Sequence, residues 1–164
     1  MKSLLYILIL LIINLIICDD ENMNHIIDNI YVGDVVAASD EEYLKQFNIT
    51  VVVNCAEEIT SDYKDLKFLE LKLYDLPEEQ IIPKFEVAYQ FIKKNKKNNN
   101  NILVHCSAGA SRSAALVIFY MMKETKWDYD YCLWYMQAKR PVVNPNTGFM
   151  NKLKDYYFKY IYFS

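Results

Sequence analysis

Ile102-Leu103-Val104-His105-Cys106-Ser107-Ala108-Gly109-Ala110-Ser111-Arg112-Ser113-Ala114-Ala115-Leu116 passes from a short apolar β-type run, through a loop of small residues, into a stretch that is apolar almost all round. That order predicts strand, tight loop, helix, with the loop at a helix N-terminus where unpaired backbone N–H groups and the helix dipole favour an anion. Gly109 permits the turn. Ser107, Ala108, Ala110 and Ser111 are too small to fill the concavity, so successive N–H groups turned inward would make a nest for a tetrahedral dianion. Arg112 can offer its planar fork to two oxygens, a contact that Lys cannot copy. Cys106 faces the same N–H groups and the guanidinium, a setting that favours thiolate over thiol. A thiolate beside a phosphate nest is a nucleophile aimed at phosphorus, and its attack would give a cysteinyl-phosphate that water hydrolyses in a second step.

Composition sharpens the choice. The chain uses Lys sixteen times but Arg only at 112 and 140, and its three glycines are Gly33, Gly109 and Gly148. An Arg and a Gly inside one nine-residue loop therefore run against the chain's habit. The 164 residues, 53% hydrophobic and 24% charged, suit one packed domain, while three Gly and four Pro exclude collagen-like and Gly/Pro-rich disordered classes. A net charge of -3 with no long basic block excludes nucleic-acid binding by bulk charge. The fourteen tyrosines read as core and surface filling. Cysteines stand at 18, 55, 106 and 132 without a Cys-x-x-Cys pair, and with two histidines the chain lacks a zinc ligand set. No metal or organic cofactor is expected. The spacing is no disulfide framework either, so the thiols read as reduced or catalytic. Cys132, beside Leu133 and Trp134, reads as core, and His25 carries no case for a role.

Around the loop, strands alternate with helices. Ile26-Ile27 and Ile30-Tyr31-Val32 predict a strand pair closed by Gly33, Asp40 to Phe47 a helix, Ile49 to Val53 a buried strand and Phe68 to Tyr74 another. Phe85, Ala88, Tyr89 and Ile92 recur at helical spacing after Pro83, a helix-start residue. Lys93 to Asn101 reads as a solvated helix end running into a surface loop. Ser113 to Lys123 predicts a central helix, Asp128 caps one through Ala138 stopped by Pro141, and Phe149, Leu153, Tyr157 and Ile161 stripe a last one. The pattern implies an α/β single domain over residues 23–164, with a mostly parallel central sheet flanked by helices.

Residues 1–18 stand apart. Lys2 precedes an apolar run from Leu4 to Ile17, and the acidic Asp19-Asp20-Glu21 follows. Fourteen helical residues reach about 21 Å, short of a ~30 Å hydrocarbon core, which suits a signal-peptide h-region better than a spanning helix. Cleavage after Cys18 would place Ile16 at −3, where small residues are needed, so a retained membrane anchor stays open, as does an ordinary buried segment. Location follows from that choice: the secretory pathway or a membrane if the segment works, the cytoplasm otherwise.

The string His105-Cys106-Ser107-Ala108-Gly109-Ala110-Ser111-Arg112-Ser113 resembles the phosphate-binding loop of the protein tyrosine phosphatase superfamily, and the chain from about Met23 to Ile161 resembles its small dual-specificity branch. Ile30-Tyr31-Val32-Gly33 with Ala37-Ala38, Ile49 to Cys55, and Pro145-Asn146-Thr147-Gly148-Phe149 are similar to further landmarks of that branch. The resemblance implies Cys106 as nucleophile, Arg112 as phosphate and transition-state clamp, His105 as a hydrogen-bonding support, and Ser113 as the hydroxyl that stabilises the leaving thiolate. It implies substrate contacts along Ser107, Ala108, Gly109, Ala110, Ser111 and Arg112. It also implies an Asp some thirty residues before the Cys as general acid. Asp75, in Leu73-Tyr74-Asp75-Leu76-Pro77, fits that place, with Asp65, Glu78 and Glu79 as weaker candidates. Asn54-Cys55-Ala56-Glu57 is similar to a stretch in phosphoinositide-phosphatase relatives where a cysteine pairs reversibly with the nucleophile; a packing role for Cys55 is the alternative. The implied activity is hydrolysis of phosphotyrosine and phosphoserine/threonine in proteins, a protein kinase among the candidate substrates, by a chain expected to be a monomer. A lipid phosphatase would place further basic residues in the loop. A phosphate-binding module without turnover is the remaining rival.

Overall fold

The computed structural model describes residues 21–96 and 100–163, so the Leu4–Ile17 expectation and Cys18 lie outside the described residues. Five strands form one sheet: β1 (Met23–Ile27), β2 (Ile30–Gly33), β3 (Ile49–Ala56), β4 (Lys67–Leu73) and β5 (Asn101–His105). Their spatial order is β1-β2-β5-β3-β4. β2, β5, β3 and β4 run parallel, and β1 folds back antiparallel on β2 at the edge. The sheet is mostly parallel, as the alternation of strands and helices predicts.

Period-two alternation sorts the strand side chains between two faces. Val51, Val53 and Cys55 of β3, with Ile102 and Val104 of β5 and Cys106 beyond it, enter the main core. Val52 and Leu103 enter a smaller core on the opposite face with Met23, Ala37, Ala38 and Leu44. Two short helices, α1 (Val35–Ser39) and α2 (Glu41–Gln46), cover that smaller face, and the side chains of Asp34 and Asp40 cap them by accepting from Ala37 N and Tyr43 N. α1 has no counterpart among the expected elements, because five residues are too few to show a helical period.

The main face is covered by α3 (Ile81–Lys96), α4 (Arg112–Thr125), α5 (Tyr129–Gln137) and α6 (Thr147–Tyr160). α4 is buried continuously from Arg112 to Met122, as its unbroken apolar sequence requires. Phe119 anchors it against Phe85 at 5.7 Å and Tyr156 at 4.8 Å between ring centroids. α3 begins two residues before Pro83, which sits in the first turn where its missing N–H costs no helical bond. Asp128 caps α5 by accepting from Tyr131 N, and Asn146 caps α6 by accepting from Phe149 N.

The tract after α3 is less solvated than its composition implies. Asn95 is buried, its amide donating to Phe91 O at 2.9 Å. Asn101 donates to Phe47 O at 2.9 Å, and Thr50 donates to Asn100 Oδ1 at 2.8 Å. An amide buries without penalty once its donors and acceptor are paired.

Register positions the site. His105 pairs with Gly33 on one side and Asn54 on the other, so β2 and β5 end at one level, β3 runs two residues further to Ala56, and Cys106 is the first residue past β5. Ligand sites in open α/β sheets form at such carboxyl ends.

Candidate active site

The loop from Cys106 to Ser111 joins β5 to α4. Ser111 holds the N-cap position of α4 but makes no capping bond. Its hydroxyl instead donates to Asp75 Oδ1 at 2.7 Å and accepts from Asn146 N at 3.1 Å. The first-turn N–H groups of α4 thus keep their donor capacity for an anion.

Cys106 and Ser113 meet on the inner side: Sγ and Oγ lie 3.2 Å apart in a hydrogen bond. Ser113 is the second residue of α4, which places its hydroxyl against the Cys106 sulfur. Arg112, the first residue of α4, is held by four acceptor atoms on three residues. Its Nη1 donates to Glu58 Oε2 at 2.6 Å and to Leu73 O at 3.1 Å. Its Nη2 donates to Glu58 Oε1 at 2.6 Å and to Ser107 Oγ at 2.8 Å. This fork-on-fork pair and the Ser107 hydroxyl hold the Glu58 carboxyl down to about 2, and Glu58 in turn raises Arg112. Arg112 Nε is buried with no hydrogen-bond partner among the described residues, so one edge of the guanidinium keeps a donor for an incoming oxygen.

Asp75 lies two residues past the end of β4. Its Oδ1 accepts from Ser111 Oγ and from Asn146 Nδ2, each at 2.7 Å. The Asp75 loop rests on the start of α6: a Cβ on Gly148 would lie 2.1 Å from Pro77 O and 2.3 Å from Pro77 Cα. The other candidate carboxylates have other surroundings. Glu79 pairs with Lys84 at 3.0 Å and accepts from Tyr74 N at 3.3 Å, Asp65 lines a cavity of about 130 Å³ with Glu41 and Tyr63, and the Glu78 carbonyl accepts from Gln80 Nε2 at 3.1 Å.

His105 is fully buried, and neither ring nitrogen has a partner in hydrogen-bond geometry among the described residues. Burial lowers it to about 4, offset in part by the Cys106 backbone and the Asp34 charge. Cys55, Cys106 and Cys132 are all free thiols. Cys55 shares the inner face with Cys106, and burial first, then the Cys106 charge, push its thiol well above the ordinary range. Cys132 is pushed up to about 12 by burial, as a packing thiol should be. His25 is exposed on the edge strand β1.

Among the described residues no group of three or more His, Cys, Asp or Glu is placed to hold a metal ion. Glu58, Asn146 and Arg140 belong to the site but were passed over in the sequence. Glu58 had one signal, an acid just beyond a strand whose carboxyl end faces the loop. Arg140 had another, as one of two arginines in a lysine-rich chain.

The family model for the dual specificity phosphatase catalytic domain matches residues 30–159, from the first residue of β2 to the last turn of α6. The chain belongs to this family. It is 38% identical over 130 residues to a probable rhodanese domain-containing dual specificity protein phosphatase of Dictyostelium discoideum, covering 79% of this chain and 27% of that protein. It is 36% identical over 132 residues to protein phosphatase Slingshot homolog 1 of Homo sapiens, covering 80% of this chain and 13% of that protein. The chain thus spans under a third of the length of either relative. The crystal structure of DUSP15 superimposes with a TM-score of 0.82 at 30% identity, over 85% of this chain and 89% of that one. The dual-specificity phosphatase fold is therefore shared along nearly the whole described chain.

Two outcomes follow from the geometry. Gly148→Ala forces its methyl into Pro77; it should destabilise the protein by about 1–3 kcal/mol in urea unfolding and break the Asp75–Ser111 hydrogen bond in a crystal structure of the variant. His105 titrates at about 4 when folded against 6.5 for an ordinary histidine, so below pH 6.5 the unfolded chain takes up the proton first and stability falls until about pH 4. Denaturant midpoints at pH 7 and pH 5 should differ less in His105→Asn than in the parent.

Proposed function

We propose that this chain is a cysteine-dependent protein phosphatase acting on phosphotyrosine and phosphoserine/threonine, with a catalytic domain over residues 23–164. The observation that carries it is convergence: Asp75, thirty-one residues upstream in sequence, is hydrogen-bonded to Ser111 of the same loop in which Cys106 meets Ser113 and Ser107 accepts from Arg112.

In the first step the Cys106 thiolate attacks phosphorus while Asp75, protonated, gives its proton to the departing phenol or alcohol oxygen as the P–O bond breaks. Arg112 and the loop N–H groups from Ser107 to Ser111 hold the equatorial oxygens and meet the charge that develops on them. In the second step the Asp75 carboxylate takes a proton from water as it attacks the cysteinyl-phosphate. The S–P bond breaks, and the Ser113 hydroxyl receives the returning thiolate. Glu58 acts by setting the guanidinium plane of Arg112, and His105 supports the loop by packing beneath it. No step needs a metal or an organic cofactor.

Protein substrates suit the loop, which carries no cation besides Arg112 to meet the extra phosphates of a phosphoinositide. Exposed Tyr74 and Leu76 flank Asp75 and give a phosphorylated protein segment, such as a kinase loop, apolar surface to lie on. All the groups come from one chain, so a monomer suffices. Leu4–Ile17 would export or tether the enzyme; among the described residues no helix is long and apolar enough to cross a membrane.

The full-length protein in reductant and chelator at pH 6–7 should hydrolyse an aryl phosphate and phosphopeptides. Cys106→Ser should abolish turnover, and Asp75→Asn should lower kcat by about 100-fold or more. Chelator-resistant turnover in Cys106→Ser would overturn the mechanism, faster phosphoinositide than phosphopeptide hydrolysis would overturn the substrate class, and phosphopeptide binding without turnover would indicate a binding module.

Cys55 lies on the face of β3 that Cys106 shares, and we propose it as the resolving thiol when peroxide oxidises Cys106 to the sulfenic acid. Peroxide-inactivated enzyme should recover fully with thiol, and Cys55→Ser should not. Full recovery of that variant would leave Cys55 with packing alone.

A further inference from the structure

Four consecutive carbonyls of the catalytic loop are gripped from outside. Val35 N donates to Ser107 O at 3.1 Å, and Asn144 N donates to Ala110 O at 2.8 Å. Between them, Arg140 Nη2 donates to Ala108 O at 3.2 Å and Arg140 Nε to Gly109 O at 3.0 Å. No peptide bond among the described residues is cis, and in a trans peptide the C=O and the N–H of one planar unit point in opposite directions. A carbonyl drawn outward therefore turns the following residue's N–H inward. The unit with the Ala108 carbonyl carries the Gly109 N–H, and the unit with the Gly109 carbonyl carries the Ala110 N–H. The two central donors of the cradle are thus aimed by one side chain.

Arg140 is itself fixed. It is 2% exposed, and its Nη1 donates to Asn24 Oδ1 at 2.6 Å and to Glu21 O at 3.0 Å. The edge strand β1 orients one arm of the guanidinium and the loop takes the other two donors. Gly109, at φ +64°, completes the fit: a Cβ there would lie 2.6 Å from Arg140 Nη2 and 2.6 Å from Gly33 O. The loop is pressed onto the arginine with no room for a side chain between them. The guanidinium also lies behind two peptide units whose positive ends face the cradle, and drawing on their carbonyls polarises those N–H groups further.

We propose that Arg140 is a positioning residue of the oxyanion site, holding the Gly109 and Ala110 N–H groups toward the bound phosphoryl group from the outer side of the loop. The inference rests on the assignment of that loop as a phosphate cradle. Lysine cannot replace it, because one ammonium cannot span two adjacent carbonyls and Asn24 in a fixed plane.

The test is tungstate binding, measured by calorimetry on the full-length protein carrying Cys106→Ser, so that the readout is the cradle and not turnover. With Arg140 intact, tungstate should bind and shift the Gly109 and Ala110 amide resonances. Arg140→Met and Arg140→Lys should bind tungstate about tenfold or more weakly, with smaller shifts at those two amides, at temperatures where the variants remain folded. Asn24→Ala, at a half-buried edge position, should fold and show the same effect in weaker form, and it decides the matter should both Arg140 variants fail to fold. Folded variants that bind as tightly as the Arg140 form would overturn the positioning role while leaving the cradle standing. Failure of the Arg140 form to bind tungstate would overturn the cradle and this inference together.

Discussion

Gly109 stands where no other residue fits, with the carbonyl of Gly33 on one side and the guanidinium of Arg140 on the other. The loop closes against these two neighbours, and its closure sets the distance between the end of β5 and the start of α4. From that follow the Cys106–Ser113 contact, the entry of Arg112 into the first turn, and the release of Ser111 from capping to hold Asp75. A backbone constraint of this kind is cheap for glycine and prohibitive for the rest.

Charge in the site is arranged by partners rather than by burial alone. Arg112 is nearly buried yet held by a bidentate carboxylate, a carbonyl and a hydroxyl. Arg140 is more deeply buried and is met by three carbonyls and an amide oxygen. Burying a charge is tolerable when its donors are matched in this way. In the proposed mechanism the two arginines divide one task, Arg112 meeting the phosphoryl oxygens and Arg140 holding the loop carbonyls of Ala108 and Gly109.

The fold was legible in the sequence because its signals are local. The β-branched run at Ile49–Val53, the apolar run at Ile102–Val104, the apolar continuity of Ser113–Lys123 and the cap at Asp128 each decide an element within a few residues. α1 was not legible, since five residues hold no period, and the Asn-rich tract looked solvated because its partners at Phe47, Thr50 and Phe91 are distant or ordinary in sequence. Within the site, Cys106, Arg112 and Ser113 come from one string and could be read together. Asp75 needed a resemblance to single it out from Asp65, Glu78 and Glu79. Glu58 looked like any surface acid.

By itself the sequence determined the strand-loop-helix unit, the alternation that makes a mostly parallel sheet, and the pairing of a thiol with an arginine at a helix start, because each depends on neighbours within about a dozen residues. Only the tertiary structure decided which carboxylate meets the loop, which one clamps Arg112, that Cys55 lies on the same face as Cys106, and that Arg140 reaches back across the fold to Ala108 and Gly109. Those contacts join segments tens of residues apart, and they exist only where the sheet register brings the ends of β5 and β2 to one level beside β3.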